Sequence, residues 1–503
     1  MLEDIAIGIT LFATWQNVVA IAGGVVIGVI IGAIPGMGAA MAVALALPFT
    51  FYMDPITGIL MLTGIYKGTY YGGSASAILI NTPGTPAAAC TTLDGYPLAR
   101  KGEARRALDI ALYASCVADF LSNLSLILFA GVIAGFALRF GPPEFFALVV
   151  FSMTIIAGVS GDSLMKGIAA AALGFLAATV GQDLFYGSPR LTFDSSNLLG
   201  GLSFVPVLIG LFAIPQILDQ FNRRLLVTEK IATTAKAIGA TFADFRYCLP
   251  SIIRGSVIGV ILGAIPGIGG APAAFLSYSE ARRTSARREN FGKGELEGVA
   301  ASEAGNNGVC GATLIPLLSL GVPGDIVTAV LLGAFMIHGL QPGPLMFHQN
   351  IHLIYAIFAG LLLSTVVLYI AGKIAIRLLS RIVDIPDNLI FPSVLVLCFF
   401  GAYVVNGSSF DVLIMIIAGL VGYLMLKTGL PTAPFLIAFV LGPLFEDNLR
   451  RSLLMSGGDL GIFVRGPITW FFLALTILTV VSIGRRSWQD FRKQRLAAAE
   501  KPG

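Results

Sequence analysis

Apolar residues fall into runs long enough to cross a lipid bilayer, separated by short polar or Pro-Gly interruptions, along nearly the whole chain. A bilayer core takes about 20 apolar residues as a helix. Runs near that length predict helices at about 15–34, 55–80, 104–138, 142–160, 162–181, 200–221, 250–265, 295–318, 349–382, 387–404, 409–427, 430–448 and 466–486. Shorter apolar pieces follow several breaks, at 39–50, 86–98, 270–281 and 326–340. The runs 104–138 and 349–382 would be about 50 Å long as helices, so they must tilt or project from the membrane. The pattern predicts an all-α polytopic membrane protein with about 12 transmembrane spans.

Composition sharpens this. Of 503 residues, 56% are hydrophobic and 12% charged, against about 25% charge in soluble domains, which excludes an ordinary soluble enzyme. The 59 glycines and 25 prolines lie inside apolar runs, where they bend, break or closely pack membrane helices. A net charge of +4 gives no basis for nucleic-acid binding. Cys90, Cys116, Cys248, Cys310 and Cys398 form no C-x-x-C pair and read as small packing residues. The opening Met1-Leu2-Glu3-Asp4 lacks a basic region, so the first apolar helix is expected to direct insertion itself. The chain carries no G-x-x-x-x-G-K-[ST], H-E-x-x-H or G-x-S-x-G, which argues against an ATP-driven pump or a membrane hydrolase.

The chain repeats itself. Gly32-Ala33-Ile34-Pro35-Gly36 reappears as Gly263-Ala264-Ile265-Pro266-Gly267, with offset 263 − 32 = 231. Asn81-Thr82-Pro83-Gly84-Thr85 corresponds to Gly321-Val322-Pro323-Gly324-Asp325, with offset 323 − 83 = 240. Gly174-Phe175-Leu176 corresponds to Gly422-Tyr423-Leu424, with offset 422 − 174 = 248. The shared order and slowly growing offsets predict two homologous halves, 15–221 and 250–448, joined by a polar linker at 222–249. A C-terminal span at 466–486 and a basic tail at 487–503 follow.

Charge indicates how the halves are related. After the first break, half one has only Asp54, whereas half two has Arg282, Arg283, Arg287, Arg288 and Lys293. After the second break the bias reverses: Arg100, Lys101, Arg105 and Arg106 in half one, and no Lys or Arg over 339–349 in half two. Equivalent loops with opposite positive-inside bias belong on opposite sides of the membrane. The halves are therefore expected to be inverted repeats with re-entrant, broken helices, with the linker and tail cytoplasmic. The Arg450-Arg451 pair does not fit this count.

Proline at 35, 83, 266 and 323 removes a helix donor, and such breaks survive in hydrocarbon only where protein or water surrounds them. In the Asn81–Pro86 stretch, amide, hydroxyl and freed carbonyl oxygens suit a hard cation such as Na⁺. With Thr85 as N-cap and Pro86 opening a new helix, the same stretch also offers free N–H groups to a carboxylate. Asp325 at the equivalent cap would repel an anion. Asn81, Thr82, Pro83, Gly84 and Thr85 are accordingly assigned to substrate, and Gly321, Pro323, Gly324 and Asp325 to a cation. Ser74 and Ser76 are candidate substrate contacts or helix-packing positions. Asn306 and Asn307, two amides in an apolar context beside Glu303, are candidate ion ligands or caps. Lys67, an intramembrane charge, is a candidate counter-charge for an anionic substrate, or it snorkels to an interface or pairs with a carboxylate such as Asp119. Asp109, Asp119, Asp162 and Asp411 divide likewise between a functional and a structural role.

The run Tyr71 to Pro86, with Leu93-Asp94-Gly95-Tyr96-Pro97, resembles the signature of the TctA family, the large membrane subunits of bacterial tripartite tricarboxylate transporters. Gly32–Gly38, Gly263–Gly269, Glu303–Asn307 and Leu320–Gly324 are similar to that family's glycine-rich segments. The resemblance implies a carrier in the bacterial cytoplasmic membrane. It would work with a small TctB-like membrane subunit and a periplasmic TctC-like substrate-binding protein, and import a carboxylate with a cation gradient. It also implies substrate or ion contacts at Asn81, Thr82, Pro83, Gly84 and Thr85. Beside this reading stand a channel lined by two re-entrant loops and, with no acid/base constellation in its favour, a membrane-embedded enzyme.

Overall fold

A computed structural model describes residues 2–159, 163–183, 185–223, 238–383 and 387–499. Residues 224–237 of the expected linker, and Asp162, lie outside the described residues.

The helices, in chain order, are α1 Leu2–Phe12, α2 Trp15–Gly32, α3 Ala39–Thr50, α4 Pro55–Ile80, α5 Thr92–Leu98, α6 Ala104–Ala137 and α7 Pro142–Val159. Next come α8 Leu164–Ala178, α9 Phe204–Arg223, α10 Phe242–Gly263, α11 Gly270–Thr284, α12 Leu296–Asn307, α13 Val309–Ala312 and α14 Leu314–Leu320. The last are α15 Ile326–Ile337, α16 Met346–Gln349, α17 Ile351–Val383, α18 Asp387–Val404, α19 Ser409–Thr428, α20 Thr432–Met455 and α21 Pro467–Ala499. The pattern of apolar runs misses α1. Among the described residues the protein is all-α apart from an antiparallel pair, β1 Gly181–Gln182 and β2 Pro189–Arg190.

Among the described residues, five helical stretches are long and apolar enough to cross a membrane: 15–32, 92–137, 242–263, 351–377 and 409–428. Other apolar helices, such as Ala39–Thr50 and Ile326–Ile337, are shorter because a Pro-Gly break divides the run.

Two compact units divide the chain. The first takes residues 1–137 and 205–423, the second 138–204 and 424–503. Each unit draws on both sequence halves, so the units do not coincide with the 15–221 and 250–448 division.

Glycine spacing sets the helix contacts of the first unit. Gly24, Gly28 and Gly32 of α2 face Gly64, Gly68 and Gly72 of α4. A Cβ on Gly28 would strike the Ile65 carbonyl, and one on Gly68 the Val25 carbonyl. Two backbones this close need glycine every fourth residue, the small-xxx-small rule of membrane helices. Half two repeats the seam: Gly255, Gly259 and Gly263 of α10 meet Ala304, Gly308 and Ala312 of the α12–α13 segment. The offsets are those of the sequence repeat (259 − 28 = 231; 308 − 68 = 240).

The run 295–318, predicted as one helix, is bent into α12, α13 and α14. The Ser122 hydroxyl of α6 donates to the Gly308 carbonyl at 2.5 Å and accepts from the Ala312 N–H at 2.8 Å. Those two groups would otherwise bond each other, so a side chain inserted into the i→i−4 ladder accounts for the kink.

In the second unit, α8 packs against α20, with Gly174 seated on the Phe435 carbonyl. The Phe445 ring contacts Phe146 and Phe175. Arg450 pairs with Asp183 and Glu446, both at 2.8 Å, and Arg190 with Glu446 at 2.7 Å. Arg451 pairs with Asp447 at 2.8 Å. Arg450 and Arg451 are thus each held in local ion pairs.

Candidate functional site

Helix α4 ends at Asn81 in the left-handed conformation (φ 55°), and α14 ends at Gly321 in the same one (φ 72°). Asn is among the few non-glycine residues that adopt this cap readily. Past it, the Gly84 N–H donates to the Gly73 carbonyl at 3.1 Å, and the Gly38 N–H to the Gly84 carbonyl at 3.1 Å. In half two the Gly267 N–H donates to the Gly324 carbonyl at 2.7 Å. The two breaks of each half are therefore hydrogen-bonded to each other, which satisfies backbone groups that the prolines release. A Cβ on Gly84 would run into the Gly32 carbonyl, so only glycine fits there.

The predicted site residues separate by environment. Asn81 is exposed, Thr82 and Pro83 are half-buried, and Gly84 and Thr85 are buried. The Ser74 and Ser76 hydroxyls donate to the Tyr70 and Gly73 carbonyls of their own helix, at 3.2 and 3.0 Å. Thr85 accepts from the Ala88 N–H at 3.3 Å, but the helix expected from Pro86 does not form as one piece. A three-residue 3₁₀ turn, Ala87–Ala89, precedes the seven-residue α5. Tertiary contacts hold these pieces: Thr91 bonds Ser302 and Glu303. Asp94 Oδ1 accepts from the N–H groups of Gly292, Gly294 and Glu295, each at 2.8 Å. A helix dipole aimed at an anion is therefore weaker here than the sequence suggests.

Half two differs at the same point. Asp325 caps the 12-residue α15, with Oδ1 accepting from the Thr328 N–H at 2.7 Å. Its Oδ2 accepts from the Tyr66 hydroxyl at 3.1 Å and the Tyr70 hydroxyl at 3.4 Å. The breaks converge at Gly269-Gly270. A Cβ on Gly269 would lie 3.4 Å from Asp325 Cβ, and one on Gly270 would lie 3.0 Å from Asn306 Oδ1 and 3.3 Å from Ala87 Cβ. Asn306, Asp325 and the segment after the Asn81 break thus meet in one place.

Lys67 does not join them. Its ammonium lies 3.0 Å from Asp119 and from Asn123 Oδ1, 2.9 Å from Ser364 Oγ and 3.1 Å from the Leu361 carbonyl. It sits about 21 Å along α4 from Asn81, 14 residues at 1.5 Å each. Asp109 pairs with Lys373 at 2.5 Å, and Asp411 accepts from Asn406 at 2.6 Å. Of the alternatives the sequence leaves open for Asp109 and Asp411, partnering within the protein is what the structure contains.

Glu303 is the residue that the sequence names without assigning as a ligand. It is 0% exposed and accepts from Thr91, from Ser115 at 3.2 Å and from Asn307 Nδ2 at 3.4 Å. Among the described residues no lysine or arginine pairs with it. Asn306, also 0% exposed, has neither amide atom hydrogen-bonded, and Asn307 Oδ1 has no partner either. The signal is the spacing: Glu303, Asn306 and Asn307, at i, i+3 and i+4, share one helix face.

Comparison with known proteins completes the picture. A protein of Agrobacterium vitis from the TAR-I ttuC′ 3′ region is 37% identical over 485 residues, 96% of each chain. A second A. vitis protein, from the TAR-II ttuC′ 3′ region, is 37% identical over 223 residues, 44% of this chain and 92% of its own. No solved structure matches. Residues 18–437 match the tripartite tricarboxylate transporter TctA family, a family of transporters rather than enzymes. This multi-pass membrane chain belongs to the TctA family.

Proposed function

We propose that the chain is the permease of a receptor-dependent importer in the bacterial cytoplasmic membrane, taking up a tricarboxylate or dicarboxylate with a cation gradient, Na⁺ foremost. A small membrane subunit and a periplasmic substrate-binding protein complete the system. The convergence of the breaks at Gly269-Gly270, with Asn306 and Asp325 beside it, carries this reading, because carriers bind substrate and ion where discontinuous helices meet. The Lys101 ammonium donates to the Lys293 carbonyl at 2.6 Å. That contact brings the two basic loops together, which supports inverted repeats with both loops cytoplasmic. The exposed Asn81 amide and the Thr82 hydroxyl are the substrate's contacts, and the Asn306–Asp325 side belongs to the cation.

Asn81→Gly tests the assignment. Glycine accepts the same φ, as Gly321 does in half two, so the backbone stays while the amide goes. Losing a hydrogen bond to a charged ligand is worth about 1.5–3 kcal/mol, so uptake by proteoliposomes should fall roughly 10- to 100-fold. The substrate is the carboxylate identified by mass spectrometry on the purified cognate receptor. Unchanged uptake would remove Asn81 from the site.

A further inference from the structure

We propose that Glu303, with the Asn306 and Asn307 amides, is the binding site of the coupling cation, and that this cation is a desolvated alkali ion of the size and hardness of Na⁺. The inference rests on the transporter reading and deepens it by naming the charged ligand. A carboxylate buried without a counter-charge is too costly to keep ionised and unmatched. Glu303 meets that description: it is fully buried, and its described partners are the hydroxyls of Thr91, Ser115 and Ser74 and the amide of Asn307. All are neutral. By contrast, the buried carboxylates Asp119, Asp109 and Asp325 have a cation or backbone N–H partner: Lys67, Lys373 and the Thr328 N–H.

Either a proton or a metal ion could neutralise Glu303, and the neighbouring amides favour the metal. A proton would satisfy the carboxyl and leave Asn306 Oδ1 and Asn307 Oδ1 buried with no partner, at a cost that proteins seldom carry. A hard cation takes oxygen ligands. Around Glu303 are the hydroxyl oxygens of Thr91, Ser115 and Ser302, Ser302 lying 3.1 Å from Thr91. The two amide oxygens complete a set with one negative charge, which matches a monovalent ion. Among the described residues no group of three His, Cys, Asp or Glu side chains could hold a divalent or transition metal. Thr91 ties the site to the segment that follows the Asn81 break. Loading the cation therefore changes the hydrogen bonding of the stretch next to the proposed carboxylate contacts, a direct route for coupling ion to substrate.

The test is ²²Na⁺ binding to the purified full chain in lipid nanodiscs, read by scintillation proximity. Wild type should bind saturably, displaced by unlabelled Na⁺ and not by equal K⁺. Glu303→Gln should weaken binding by at least about tenfold, and Asn306→Ala by about 3- to 10-fold, with unfolding temperatures near that of wild type. If Glu303→Gln does not fold, Asn306→Ala carries the test alone. Equal ²²Na⁺ affinity in wild type and the variants overturns the proposal, as does an absence of saturable binding by wild type. Carboxylate uptake driven by a pH gradient in Na⁺-free buffer would also overturn it while leaving the permease reading intact. Loss of receptor-dependent carboxylate uptake with Na⁺ binding retained would do the reverse.

Discussion

Replacing Lys67 with methionine separates a structural charge from a transport charge. Methionine keeps the unbranched stem but removes a donor that reaches Asp119, Asn123, Ser364 and the Leu361 carbonyl within 3.1 Å. The Lys67 and Asp119 side chains are each 1% exposed, so water cannot replace the lost charge. Asp119 would keep only the Asn123 amide at 3.2 Å and the Thr365 hydroxyl. Breaking a buried pair from one side costs about 3–5 kcal/mol, whereas replacing both partners with apolar residues of similar size is often near neutral. The double variant Lys67→Met/Asp119→Leu should therefore recover most of that loss, short of about 1–2 kcal/mol for the partners that Asn123 and Thr365 forfeit. Thermal unfolding of the purified protein reads stability, and uptake in proteoliposomes reads function. If Lys67 only holds α4, α6 and α17 together, the double variant regains both. If Lys67 meets the substrate, stability returns without uptake. A single variant that unfolds at the wild-type temperature, or a double variant no better than the single, refutes the reasoning.

Other outcomes follow from named contacts. Gly68→Ala should destabilise the protein by about 1–3 kcal/mol in thermal unfolding, since its Cβ would meet the Val25 carbonyl. Gly23→Ala, with open space around the new Cβ, should be neutral or slightly stabilising. Asp94→Ala frees three backbone N–H groups and the Tyr278 hydroxyl, so trypsin should cut faster at Arg287, Arg288 or Lys293; an unchanged rate would count against the clamp. The N–H groups of Tyr186 and Phe185, with Arg450, hold the Asp183 carboxyl below its usual range. A lowered folded value means that its contribution is complete above the unfolded value, about 3.9, and is lost as pH falls through the folded value. Asp183→Asn should flatten that acid limb of the unfolding-temperature profile.

The sequence makes the broken helices legible because proline and glycine act locally. The caps at Asn81 and Gly321 and the bends at Gly36 and Gly267 need no tertiary information. The glycine seam was equally readable, as three glycines four apart on each of two helices, but it emerges only when the runs are treated as facing pairs. Other features depend on partners distant in the chain. The kink after Asn307 needs Ser122, and the short pieces between Pro86 and Leu98 need Glu303 and the 292–295 backbone; for Lys67 the sequence offers Asp119, 52 residues on, as one alternative, and only the tertiary contact selects it. Glu303 looks like any acid beside small residues until Thr91 and Ser115 are brought against it. The pairing of Arg450 with Asp183 and Glu446, and of Arg451 with Asp447, is likewise absent from any count of positive residues.

The Ser122 hydroxyl carries one more consequence. The bend after Asn307 is closed by an oxygen borrowed from the other half of the chain, so the second half does not contain all the instructions for its own shape. A gene cut within 224–237 and expressed as its C-terminal piece alone would leave the Gly308 carbonyl and Ala312 amide to find each other, straightening that helix and swinging Asn306 and Glu303 out of register. Supplying the N-terminal piece in trans should restore the bend, which makes assembly of the two fragments, rather than folding of either, the step that forms the interior.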